Sequence, residues 1–96
     1  MYLLHVSYSK TPSEVEPHVE THRAWVAKAM QQGLILFAGV KKSGLGGVIA
    51  MKDMQKADLL KLLAEDSYVQ ADVADYQIID FDCKAAQPNI TNLVGV

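Results

Sequence analysis

The amino-acid sequence predicts an α+β fold in which a four-stranded antiparallel sheet carries two helices on one face. Three observations lead there. Apolar runs of strand character fill residues 2–8, 34–40, 45–51 and 73–83. Segments of helical periodicity separate the first run from the second and the third from the fourth. The two middle runs are parted only by the polar turn Lys41-Lys42-Ser43-Gly44, as in a hairpin. The resulting order, βαββαβ, is that of a ferredoxin-like layer pair.

Tyr2 to Tyr8 reads as the first strand. Thr11-Pro12-Ser13-Glu14 follows as a capping box, with Thr11 at the N-cap and Pro12 at the first helical position. Pro17 comes too soon for an uninterrupted helix, so a short turn opens the segment and the main helix runs from about Pro17 to Gln32, stopped by Gly33. Leu34–Val40 and Leu45–Met51 form the hairpin. Asp53 is placed to cap a second helix whose Ala57, Leu60, Leu63 and Ala64 line one side, and Val73–Cys83 returns as a strand. Residues 1–83 thus make one domain. The tail, 84–96, carries Pro88, Asn89 and Asn92 without clear periodicity. There is no internal repeat, linker or low-complexity segment.

Half of the 96 residues are hydrophobic, enough for one core and not for two. A net charge of −2, with Lys41-Lys42 as the only basic pair, gives no attraction for nucleic acid or an anionic membrane. No stretch approaches the roughly 20 apolar residues that span a bilayer, so a soluble, cytoplasmic protein is expected. Cys83 is the single cysteine, which excludes an intramolecular disulfide and a cysteine-based zinc site and leaves it a packing residue. In Leu34-Ile35-Leu36-Phe37-Ala38 and Val48-Ile49-Ala50-Met51 apolar side chains point to both sides of the sheet. The face without helices therefore needs a cover, and a homodimer packed sheet to sheet is expected.

The residue that points to chemistry is His22. In the main helix Val19, Val26 and Met30 recur at helical spacing, and His22 falls inside that stripe, so a titratable ring is directed inward. Other constellations carry less. His18 and His22 stand four apart, a spacing that needs a third ligand to hold a metal; no metal is expected. Asp75, Asp80 and Asp82 fit a solvated strand face. Gly44-Leu45-Gly46-Gly47 leads into a strand and lacks the helix N-terminus of a phosphate loop, so turn geometry accounts for its glycines. Trp25 reads as a structural or interface residue, and Tyr68 as a pocket residue beside Asp66.

Taken in order, His22, then Gly33 eleven positions on, Leu36-Phe37-Ala38-Gly39, Gly46-Gly47-Val48-Ile49 and Asp66-Ser67-Tyr68-Val69 resemble the YciI-like (YCII-related) family over about residues 2–83. The resemblance implies a dimeric α/β-barrel version of the ferredoxin-like fold and an active site built from a histidine and an aspartate, here His22 and Asp66. Tyr68, Ser67 and Gly39, which stand in the same motifs, are then expected to contact a ligand. Wider relatives are similar to muconolactone isomerases and to enzymes that remove chloride from hydroxyquinone intermediates. The chain departs from the family pattern at Val40 and Ser67, which replace prolines, at Asp72, where a glycine is usual, and at Glu20-Thr21, which stand where Arg-Pro often precedes the histidine. The lost arginine removes an anchor for a carboxylate; Arg23 replaces it only if the helix turns it towards the pocket.

Two functions follow. One is a cofactor-independent lyase or isomerase in which His22 moves a proton and Asp66 orients it. The other is a non-catalytic ligand-binding or interaction domain that uses the same pocket. A purely structural reading is equally concrete: His22 is a satisfied core histidine and Asp66 caps the turn Ser67-Tyr68-Val69-Gln70.

Overall fold

The alternation of β1 (Tyr2–Tyr8) organises the molecule. In the computed structural model, which describes all residues from Met1 to Val96, Tyr2, Leu4 and Val6 are buried, while Leu3, His5 and Ser7 face the other way and stay half-exposed. β1 is central. It pairs antiparallel with β3 (Gly46–Met51), matching Leu4 to Ile49, and with β4 (Ala74–Asp80), matching Leu4 to Ile78. β2 (Ile35–Val40) completes the sheet in the order β2-β3-β1-β4, with a register shift between Ile35 and Phe37.

α1 (Pro12–Val15) begins at the expected capping box. The Thr11 hydroxyl accepts from the Glu14 backbone N–H at 3.3 Å, and the Glu14 carboxylate accepts from the Thr11 N–H at 3.5 Å. Pro17 turns the chain into a 3₁₀ turn, Glu16–His18, before α2 (Val19–Gln31). Gly33, at φ 74, ends α2: its N–H donates to the Met30 carbonyl and that of Leu34 to the Ala29 carbonyl, a Schellman closure that needs a left-handed residue.

α3 (Lys56–Leu63) differs from the sequence expectation in two ways. Its N-cap is Gln55, whereas Asp53 is exposed and lies 3.9 Å from the N-terminal ammonium. Its buried side chains are Leu59 and Leu63, while Ala57, Leu60 and Ala64 face solvent. Apolar residues occur almost all round this helix, so periodicity alone does not select a face; the common core does, taking Leu59 and Leu63, while the Trp25 indole N–H donates to the Leu62 carbonyl at 3.1 Å. Trp25, buried, is a core residue. α4 (Ser67–Gln70) is a single turn. β4 stops at Asp80 instead of Cys83 because β1, its one partner, runs out at Tyr2; beyond it the Phe81 N–H donates to the Met1 carbonyl and the Met1 ammonium to the Phe81 carbonyl, each at 3.0 Å. In the tail a 3₁₀ segment, Pro88–Leu93, is followed by a bond from the Gly95 N–H to the Cys83 carbonyl.

Fourteen buried side chains from the sheet, from all four helices and from Val73 form one core beneath the inner face of the sheet. No helix is long and apolar enough to cross a membrane. The outer face is divided. Leu3, Phe37, Val48, Ala50 and Ile79 share its apolar part by register, with Phe37 48% and Ile79 51% exposed. Its polar part is a network: Lys41 Nζ donates to His5 Nε2 and to the Ser7 hydroxyl, each at 3.2 Å, so His5 Nδ1 carries the proton that bonds Gln77 Oε1 at 2.9 Å.

Candidate active site

The site is assembled on the cap of α4. Asp66, in extended backbone conformation, accepts the Tyr68 backbone N–H on Oδ1 at 3.2 Å, as an N-cap aspartate should. The same Oδ1 lies 2.7 Å from His22 Nδ1, and Oδ2 accepts the Tyr76 hydroxyl. Asp66 is fully buried, and three donors converge on its carboxylate. Capping and pairing with His22 are therefore not alternatives, since one carboxylate does both.

This arrangement fixes the imidazole. A carboxylate only accepts, so Nδ1 carries a proton and the neutral ring keeps its lone pair on Nε2. Nε2 has no partner within the chain, and no buried side-chain polar atom is left unpaired, so Nε2 is open to solvent. The His22 ring lies on the Tyr68 ring, centroids 3.8 Å apart and planes 3° from parallel. The Tyr68 hydroxyl is 3.4 Å from that of Tyr8, whose ring meets it edge-on.

His22 and both tyrosine rings border a cavity of about 550 Å³ between α2 and the β2–β3–β1 end of the sheet. The space exists because small residues face each other there. Ala38 and Gly47 stand where the sheet would otherwise send up large side chains, and Ala27 stands opposite on the helix. Val19, Val26 and Met30 line it, so the apolar stripe predicted around His22 walls the cavity while Trp25 and Ala29 of the same helix enter the core.

Burial, and after it the hydrogen bond and charge of Asp66, hold the Tyr76 phenol far above its ordinary value of 10.0. Burial, then the hydrogen bond with Tyr8, does the same to Tyr68. Both stay neutral, so they serve as hydrogen-bonding groups and His22 is the group placed to exchange a proton.

Of the residues singled out from sequence, His22, Asp66 and Tyr68 are brought together, and Gly39 lines the cavity. Ser67 does not line it. Its buried hydroxyl donates to the His18 carbonyl at 2.9 Å, tying α4 to the start of α2 through a bond that a proline at this position could not make. No group of three or more His, Cys, Asp or Glu side chains gathers to hold a metal. The helix does turn Arg23 to the cavity. Tyr8, Glu16 and Tyr76 escaped the sequence reading. The alternation of β1, continued from Tyr2, Leu4 and Val6, assigns Tyr8 to the inner face; Tyr76 needed the β1–β4 register, which pairs it with Val6.

No family model and no curated protein sequence matches the chain. Among solved structures, the chain is similar to 5-chloro-2-hydroxyhydroquinone dehydrochlorinase (TftG) from Burkholderia phenoliruptrix AC1100, determined as a complex with 2,5-dihydroxybenzoquinone. The TM-score is 0.68 at 13% identity, covering 85% of this chain and 94% of that one. The two share the four-stranded α+β fold that the order of elements predicts.

Proposed function

We propose that the protein is a small-molecule lyase or isomerase of the YciI-like type that uses His22 and Asp66 as an acid/base dyad. The observation that carries this reading is the 2.7 Å bond between His22 Nδ1 and the fully buried Asp66 carboxylate, with Nε2 left free at a cavity. In the reaction Nε2 takes a proton from a C–H or O–H next to a carbonyl. The electron pair left behind shifts a double bond or expels a leaving group with its bonding pair, Asp66 stabilises the imidazolium, and the imidazolium, after exchange with solvent, delivers a proton to the product or the leaving group. The Tyr8 and Tyr68 hydroxyls are positioned to hydrogen-bond a substrate oxygen. A cavity of about 550 Å³ is in the range that holds a small organic ligand. The fold likeness to a dehydrochlorinase agrees with chemistry of this class.

A second copy of the chain is the proposed cover of the outer face. Phe37 and Ile79, each about half exposed on one apolar strip with Leu3, support this arrangement.

The test is a thermal-shift screen of small organic acids, lactones and halogenated phenols against the wild type, His22→Ala and Asp66→Asn, followed by NMR detection of solvent deuterium entering each hit. Stabilisation of the wild type alone, with exchange abolished in both variants, is the expected result. Ligands that stabilise all three proteins equally would remove the dyad from the site; binding without exchange or turnover would make the domain a binding module.

A further inference from the structure

Besides His22, two charged side chains border the cavity, Arg23 and Glu16. Arg23 is exposed and stands next to His22 on α2. It has no carboxylate within ion-pair distance: the chain's ion pairs are Met1 with Asp53, His22 with Asp66 and Lys84 with Asp82. Glu16 borders the same cavity without neutralising it. A guanidinium left uncommitted beside an apolar cavity keeps its planar fork of donors for a ligand, and that fork matches a carboxylate or a ring oxyanion. Ten of the 17 lining residues are hydrophobic, so a ligand's uncharged part meets apolar walls while its charge has one place to go.

We infer that the substrate is a small organic monoanion whose carboxylate or oxyanion is held by Arg23 while its reacting C–H or O–H faces His22 Nε2. This rests on the reading of the cavity as the site of His22 and Asp66, and adds the charge of the substrate and the residue that selects it. Because the anchor and the base are consecutive residues of one helix, the anionic group and the reacting proton belong to the same small ring or short chain. Glu16 works in the opposite sense, opposing a second negative charge.

The test uses matched pairs of acid and amide: benzoate with benzamide, and 2,5-dihydroxybenzoate with 2,5-dihydroxybenzamide, titrated calorimetrically into the wild type, Arg23→Gln, Arg23→Lys and His22→Ala. The wild type is expected to prefer the acid of a pair by about tenfold, the worth of one good charge-assisted contact. Arg23→Gln should erase that preference by weakening the acid far more than the amide, and Arg23→Lys should restore part of it. Equal binding of acid and amide by the wild type, or a preference that survives Arg23→Gln, overturns the anchor and leaves the His22–Asp66 reading standing. If neither member of either pair binds the wild type at millimolar concentration, or if His22→Ala binds both as well as the wild type does, the cavity reading fails and the anchor fails with it.

Discussion

The imidazole of His22 lies flat on the phenol of Tyr68, and the Tyr68 backbone N–H donates to the same Asp66 oxygen that His22 Nδ1 contacts. One helical turn therefore sets both the plane and the azimuth of the ring: the cap fixes where Nδ1 points, and the stacked phenol blocks one face. Tyr68→Phe keeps the stack and should cost little beyond the hydroxyl contact. Tyr68→Ala removes ring and cover together and should lower stability by about 3–5 kcal/mol. Urea unfolding of the two variants checks this, and equal losses would show that the hydroxyl, not the stacked ring, carries the effect.

Removing the Asp66 carboxylate leaves three donors without an acceptor. Asp66→Ala should be destabilised by 3 kcal/mol or more, roughly the cost of breaking a buried charged network, and Asp66→Asn by less, since an amide oxygen keeps part of the network. The ring reports separately. Nitrogen-15 spectra of the neutral wild-type imidazole should place the proton on Nδ1, and in Asp66→Asn that single tautomer should give way to a mixture.

Stability should fall as pH rises above 10.0, the ordinary value for a tyrosine. Tyr68 and Tyr76 are both raised above it in the folded protein, so the unfolded chain releases protons there that the folded chain retains; fewer protons are bound on unfolding, and the slope of stability against pH is negative. Below 10.0 these two groups contribute no pH dependence. Chemical denaturation between pH 8 and 11, approximate limits that bracket the transition, should show a smaller decline in Tyr76→Phe than in the wild type.

Asp72 closes α4 in the left-handed region at φ 55, with its N–H on the Val69 carbonyl and that of Val73 on the Tyr68 carbonyl. A glycine adopts this geometry without a Cβ penalty. Asp72→Gly should therefore stabilise the fold by about 0.5–1 kcal/mol. Gly46→Ala should do the reverse and strongly: at φ 140 any Cβ runs into the Val6 carbonyl oxygen across the β1–β3 pair. Melting temperatures of opposite displacement would bear this out.

Sedimentation should find the wild type as a dimer and Phe37→Glu with Ile79→Lys as a monomer that retains its secondary structure, because both side chains are exposed on the outer face and neither belongs to the core. An unchanged sedimentation coefficient would show that another surface, or none, joins the copies.

Strand and helix order was readable because period-2 and period-3.6 patterns rarely coincide in this chain, and because Thr11, Pro12 and Gly33 mark helix ends by local chemistry. What failed was local in a different way. The face of α3 could not be read from a helix with leucines at 59, 60, 62 and 63, since packing into the common core, which takes Leu59 and Leu63, chooses among them. The end of β4 was set by the length of β1, a property of another segment. At the site, His22 was visible as a polar residue in an apolar stripe and Asp66 as a cap. Tyr76 was not, because its approach to Asp66 depends on the placement of β4 relative to α4.

The groups that could move a proton and the surfaces that leave room for a ligand come from different segments. His22 is oriented by Asp66, 44 residues downstream, and by Tyr68, whereas the room beside it is set in the sheet by Ala38 and Gly47. Enlarging Ala38 would reshape the space without touching a bond of the dyad, whereas any Cβ at Gly47 runs into the Gly39 carbonyl oxygen. On the proposed function, the fold separates what is changed from what is admitted, so a lineage built on it exchanges one ligand for another at the sheet while the His22–Asp66 pair stays as it is.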